Sequence, residues 1–204
     1  MSYELNKTLV DEIRDKGILK SPRIMGAFLV VDRSEFVPDD LMDEAYDDMP
    51  LPIPGSMTTS QPSTIAFMLE LLDPRPGERI LEIGTGSGYV TALLAELVGK
   101  SGKVYSIESM SELAEFAADN LEQFGYGNIN LYTGDGRTGM GSGAPYDKII
   151  SGAEIEEIPE DWREQLKNGG LIVTPYDDHV LKAVKNHENL ERDRFPYFSF
   201  VKLT

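Results

Sequence analysis

Three glycines at alternate positions, Gly84, Gly86 and Gly88, stand directly behind the short apolar run Ile80-Leu81-Glu82-Ile83 and ahead of an apolar segment that begins at Tyr89. The run has the character of a short buried strand, and the segment after the glycines reads as a helix. Glycine admits positive φ and lets a ligand approach the backbone with no Cβ in the way. The helix N-terminus beyond offers free N–H groups to an anionic group. A dinucleotide fingerprint needs glycines at relative positions 1, 3 and 6. Here Tyr89 takes the sixth place and the spacing is 1, 3 and 5, which excludes a dinucleotide site. Three acids accompany the loop: Glu82 at the strand end, Glu108 placed 20 residues after Gly88, and Asp135 within Gly134-Asp135-Gly136. All three fall at the carboxyl ends of neighbouring predicted strands, where open α/β sheets bind their ligands. Glu108 suits ribose hydroxyls, and Asp135 with Gly136 suits an adenine edge.

The elements that must carry these residues follow from periodicity. Residues 1–38 read as helical: Leu5, Leu9 and Ile13 form one stripe, Gly17 ends it, and Ser21-Pro22 opens a second helix. Pro50, Pro52 and Pro54 alternate with Met49, Leu51 and Ile53, which predicts an extended, polyproline-like segment. Ser60-Gln61-Pro62 looks like another helix start, with Ser60 as N-cap. From residue 79 strands alternate with helices. Strands are expected over 79–83, 103–107, 128–132, 146–150 and 171–174. Helices are expected over 89–98, 111–124 and 159–167, the last closed by Gly169-Gly170. Two more strands, 180–184 and 197–203, have no helix between them. The sum is an α/β fold: a seven-stranded, mostly parallel sheet with an antiparallel edge hairpin and an N-terminal helical extension. One domain is expected over residues 1–204, with 1–62 as the helical and substrate-recognition segment and 63–204 as the cofactor-binding core.

Composition narrows the partners. With 19 basic and 35 acidic residues the net charge is −16, which argues against nucleic acid, because phosphate binding rests on clustered Lys and Arg. No cysteine and only two histidines, His179 and His187, remove disulfides and make a metal site improbable. The opening residues lack a basic n-region and an apolar h-region, and no apolar run approaches membrane-spanning length. A cytoplasmic protein with no membrane partner is the expectation.

The 1, 3, 5 glycine spacing behind Glu82 resembles motif I of the Rossmann-like class I S-adenosylmethionine-dependent methyltransferases. The residues before the sheet narrow this further. Residues 31–38 (Val-Asp-Arg-Ser-Glu-Phe-Val-Pro), Ala45-Tyr46-Asp47-Asp48, Pro50-Leu51-Pro52-Ile53 and Thr58-Thr59-Ser60-Gln61-Pro62 are similar to the N-terminal signature of protein-L-isoaspartate O-methyltransferases. Matches continue through residues 81–89, Gly134-Asp135-Gly136, Ala144-Pro145-Tyr146-Asp147, residues 165–170 and the closing residues 200–204. Four positions depart from the pattern: Met57 replaces glutamine, Ser63 replaces histidine or tyrosine, Gly152-Ala153-Glu154-Ile155 replaces an alanine-rich run, and Lys202 replaces a proline.

The resemblance implies a repair enzyme that uses S-adenosyl-L-methionine, releases S-adenosyl-L-homocysteine, and methylates the α-carboxylate of L-isoaspartyl residues in damaged proteins. It places Ser60 at the active-site serine position, with the Thr58–Pro62 loop between cofactor and peptide. Thr59 and Ser60 are then cofactor contacts, and Thr58, Ser60 and Asp48 substrate contacts. The acceptor carboxylate is already ionised and a sulfonium is already electrophilic, so Ser60 is assigned to positioning and not to nucleophilic attack. The competing reading is a methyltransferase of this fold with another acceptor, motivated by Met57 and Ser63. A nucleic-acid amino-methyltransferase is disfavoured, since Ser151-Gly152-Ala153-Glu154 stands where an Asn/Asp-Pro-Pro-aromatic motif belongs. A non-enzymatic binding module is disfavoured by Ser60 in its family context.

Overall fold

The leading residues form two helices, α1 (Ser2–Asp15) and α2 (Pro22–Val30), because each carries an apolar stripe at helical spacing: Leu9, Val10 and Ile13 on the first, Ile24, Ala27 and Phe28 on the second, all buried. The computed structural model describes residues 2–196 of the chain. Gly17 at φ 72° turns the chain after α1, and Pro22 occupies the first turn of α2, as its locked φ favours. Short 3-10 turns at Arg33–Phe36 and Asp39–Glu44 follow.

The alternating prolines do not make an isolated polyproline segment. They belong to a hairpin, β1 (Leu51–Ile53) against β2 (Met57–Thr59), with Leu51 opposite Thr59 and Ile53 opposite Met57. Pro52 is tolerated there because a two-stranded sheet has free edges. Its turn carries Gly55 at φ 70°, where a Cβ would lie 2.5 Å from Met110 Cε. Helix α3 (Pro62–Leu72) starts one residue later than expected: Gln61, not Ser60, occupies its N-cap, with no side-chain cap bond.

Behind it stand β3 (Arg79–Ile83), α4 (Tyr89–Val98), β4 (Lys103–Glu108), α5 (Ser111–Glu122), β5 (Ile129–Thr133) and β6 (Tyr146–Ser151). Helix α6 spans only Glu160–Gln165, and a long strand, β7 (Leu166–Tyr176), begins at once. Gly169-Gly170 therefore is no helix stop. Leu166 pairs with Tyr146 and Leu171 with Lys148, so the glycines sit in an irregularity of β7 where a Cβ on Gly170 would lie 2.8 Å from Leu166. Strands β8 (His179–Asn186) and β9 (Asn189–Pro196) are the last elements among the described residues.

The seven-stranded sheet has the order β5-β4-β3-β6-β7-β8-β9. Its first five strands run parallel, and β8 and β9 add antiparallel to β7. This is the class I methyltransferase architecture expected. Strand β9 lies in a charged stretch to which periodicity assigns nothing, and the strand expected over 197–203 falls outside the described residues. The N-terminal helices join the sheet through aromatic packing: Tyr89 of α4 meets Phe28 of α2 edge-on at 6.1 Å and Phe36 at 5.5 Å. Trp162, Tyr146 and Leu166 lie buried in a second apolar cluster. No helix among the described residues is long and apolar enough to cross a membrane.

Candidate active site

A cavity of about 940 Å3 opens where β3, β4 and β6 end, a size typical of small-molecule sites. Its wall includes Thr58, Thr59 and Ser60 from the hairpin exit, Glu82, Gly84 and Gly86 from the end of β3, and Glu108 and Gly136 beyond β4 and β5. The fold thus brings together residues spread over nearly 80 positions, because a parallel sheet delivers every strand end to one edge. Gly88 lies behind the wall, as the N-cap residue of α4 at φ 87°. A Cβ there would approach Leu121 to 3.1 Å. Gly84, at φ 83°, has open space where a Cβ would project, so a ligand can approach its backbone.

Two acids face this loop in different ways. Glu108 is buried, and its Oε2 accepts from the Gly86 amide at 3.0 Å while Oε1 accepts from the Met110 amide at 3.1 Å. Glu82 is 2% exposed, and one oxygen, Oε2, accepts from both the Thr91 hydroxyl at 2.5 Å and the Ser106 hydroxyl at 2.7 Å. The Thr85 hydroxyl lies 2.7 Å from that of Ser106 and extends the network. Oε1 of Glu82 has no partner among the described residues. Burial pushes the Glu82 carboxyl up to about 7; the two hydroxyls pull the other way, and the negative Glu108 adds to the rise. A cation entering the cavity would be the natural partner of this acid pair.

The Ser60 side of the cavity is built from irregular backbone. Ser60 has its hydroxyl without a hydrogen bond among the described residues, while its carbonyl accepts from Arg33 Nη2 at 3.2 Å. Met57 and Ser63, the two departures nearest Ser60, also line the cavity. Asp48 lies off the wall and uses both carboxylate oxygens within the chain: Oδ1 accepts from the Ser63 amide at 2.8 Å and Oδ2 pairs with Lys16 at 2.7 Å. It therefore caps α3 from a distance, the task expected of Ser60. The Gln61 side chain also donates to the Asp48 carbonyl at 2.8 Å. Arg33 was not singled out by sequence reasoning. Its signal is a place in the polar stretch Asp32-Arg33-Ser34-Glu35, set between the apolar pairs Val30-Val31 and Phe36-Val37.

Asp135 stands at the rim and is paired in two-pronged fashion with Arg137, whose hydrogen bonds hold its carboxyl below the usual range. The neighbouring Gly136 does reach the wall, and its carbonyl accepts from the buried Trp162 indole at 2.8 Å. The acidic segment Asp39–Glu44 is a 3-10 turn with no buried residue, a solvated face as its charge suggests.

Known proteins resemble this chain over nearly its whole length. A curated relative from Pyrobaculum islandicum, called protein-L-isoaspartate O-methyltransferase, is 44% identical over 200 residues, which is 96% of this chain and 97% of the relative. A solved protein-L-isoaspartate O-methyltransferase aligns with TM-score 0.89 at 31% identity, covering 97% of this chain and 65% of that one. A Plasmodium falciparum structure in complex with S-adenosyl-L-homocysteine shares the fold, with TM-score 0.86 and 23% identity over 98% of both chains. With residues 4–204 matched by its family model, the chain belongs to the protein-L-isoaspartate(D-aspartate) O-methyltransferase family.

Proposed function

We propose that this chain transfers the methyl group of S-adenosyl-L-methionine to the α-carboxylate of L-isoaspartyl residues in damaged proteins. One observation carries the reading: the unbonded Ser60 hydroxyl shares a cavity wall with the Gly84 turn and the Glu82–Glu108 acid pair, in a chain of this family. The residues present fit the cofactor. Gly84 leaves room for its backbone approach, Glu108 offers carboxylate oxygens to ribose hydroxyls, and the unpartnered Oε1 of Glu82 suits a cationic end. When bound, the cofactor supplies a methyl group on a sulfonium and needs no acid to activate it.

Ser60 then donates its hydroxyl proton in a hydrogen bond to one oxygen of the acceptor carboxylate and aims the other oxygen at the methyl group. Such alignment is the main requirement of an in-line displacement between two already reactive groups. Thr59 supports the cofactor side, Thr58 the peptide side and Gly136 the adenine edge; Asp48, off the wall and bonded to Ser63 and Lys16, braces the peptide side from behind, and Asp135 is held by Arg137 beside Gly136. The amide nitrogen of the isoaspartyl linkage then attacks the methyl ester carbonyl and expels methanol to form a succinimide, and water opens that ring partly to normal aspartate. A net charge of −16 supports protein and not nucleic acid as partner, and a cytoplasmic setting belongs to the same proposal.

Incubation with an isoaspartyl peptide and methyl-labelled cofactor tests the reading directly, with methyl ester formation expected. Cofactor binding without ester formation would overturn it and favour the second reading, a methyltransferase of the same fold with a different acceptor, a small molecule or another protein carboxylate, for which Met57 and Ser63 on the cavity wall are the specific observation.

A further inference from the structure

The segment that presents Ser60 is held from behind by one buried guanidinium. Arg33 has no exposed surface and is absent from the cavity wall. Its Nη1 donates to the carbonyls of Ala45 at 3.0 Å and Asp47 at 3.1 Å, and its Nη2 to those of Met49 at 2.9 Å and Ser60 at 3.2 Å. The first three carbonyls lie on the way into the β1–β2 hairpin, and the fourth lies just past its exit. All four belong to backbone outside any helix or strand, and among them the Asp47 carbonyl also accepts from the Met49 amide at 2.8 Å. A buried carbonyl left without a donor is costly, and a planar guanidinium with five N–H groups can answer four at once where an ammonium cannot.

The chemistry of this clamp is selective. It fixes the Ser60 backbone through the carbonyl and leaves the hydroxyl unbonded, and no other side chain among the described residues hydrogen-bonds Ser60. The residues that follow Ser60 are held by a separate set of contacts, Gln61 to the Asp48 carbonyl and the Ser63 amide to the Asp48 carboxylate. The far end of the hairpin packs its Gly55 turn against Met110, two residues after Glu108.

We propose that Arg33 is a positioning residue for methyl transfer: by closing both ends of the hairpin onto one plane, it sets the direction of the Ser60 hydroxyl without touching cofactor or acceptor. The role rests on the repair reading given above.

The test compares wild type, Arg33→Met and Arg33→Lys. Three quantities are read: kcat and KM with an isoaspartyl peptide, the Kd and stoichiometry of S-adenosyl-L-homocysteine by calorimetry, and amide hydrogen exchange over residues 45–61. For Arg33→Met, kcat falls about 10- to 100-fold, as misplacement of an aligning group by an ångström can cause. Product binding keeps full stoichiometry with Kd changed about twofold or less, and exchange rises over 45–61 but not in β3 or β4. Arg33→Lys, which keeps the charge and three donors, recovers part of kcat and carries the comparison should the methionine variant not fold. Loss of product-binding stoichiometry in parallel with kcat in Arg33→Lys would mean a structural brace only and would overturn the proposal. So would wild-type kcat and exchange in either variant. A wild-type chain that binds the product but esterifies no isoaspartyl peptide overturns the acceptor reading instead, which separates the two failures.

Discussion

The Gly86 amide donates to the Glu108 carboxylate at 3.0 Å, so the glycine loop and the end of the neighbouring strand form one hydrogen-bonded unit. With Met110 bonded to the other oxygen, Glu108 shapes the loop as well as offering acceptors to a ligand. Glu108→Ala should therefore weaken S-adenosyl-L-homocysteine about 10- to 100-fold, the range for losing hydrogen bonds to a charged group. Glu108→Gln, which keeps an acceptor oxygen, should lose less. Calorimetric titration of both variants measures the difference, and equal affinities would exclude a ligand role for the carboxylate.

Glu82 makes stability depend on pH in a defined direction. Its folded-state carboxyl is raised from 4.5 to about 7 by burial. Below 4.5 folded and unfolded chains both hold the proton. Between 4.5 and about 7 only the folded chain holds it, so this contribution declines as pH rises and is gone above the folded value. The full decline is worth roughly 3 kcal/mol. Urea unfolding across pH 5 to 8 should show Glu82→Gln free of that decline relative to wild type.

Asp48 acts in the opposite sense. Burial would raise its carboxyl, but hydrogen bonds from Lys16 and Ser63 outweigh it and hold the group below its usual 3.8. Its contribution is therefore present above the unfolded value and lost as pH falls through the lowered one. Asp48→Ala should destabilise the fold by about 1–2 kcal/mol at pH 7, as loss of a helix cap does, with cofactor affinity unchanged. Chemical unfolding at pH 7 and pH 3 reads the loss, which should shrink at the lower pH.

Ser60→Ala should lower kcat with isoaspartyl peptide about 10- to 100-fold while leaving product affinity within about twofold. Full activity in this variant would remove the positioning role.

The single tryptophan offers an independent probe, since the buried Trp162 indole donates to the Gly136 carbonyl on the cavity wall. Its emission should shift on titration with S-adenosyl-L-homocysteine and saturate with the calorimetric Kd. Trp162→Phe should destabilise the protein by about 1–3 kcal/mol, leaving that carbonyl without its donor.

Local signals located most of the fold. The parallel strands and their helices were legible because a buried strand is a short apolar run and each glycine break is local. Periodicity failed at Gly169-Gly170, where a strand irregularity imitates a helix stop, and at β9, where an antiparallel edge strand tolerates Glu191, Arg192, Asp193 and Arg194 facing water. The Pro50–Pro54 alternation indicated extension but not a partner strand, because pairing depends on Met57–Thr59 folding back.

By itself the sequence located the glycine-loop side of the cavity: Gly84, Gly86, Glu82 and Glu108 sit at strand ends whose order along the chain already implies one shared edge. Only the tertiary structure decided the roles around Ser60. It gave the cap of α3 to Asp48, turned Asp135 toward Arg137, and set Arg33 against four distant carbonyls. The Asp48 and Arg33 contacts join segments up to 27 positions apart, and the Asp135–Arg137 pair lies within one irregular turn. They leave no periodic trace, because backbone hydrogen bonding outside helices and sheets is satisfied by whichever side chain the packing brings near.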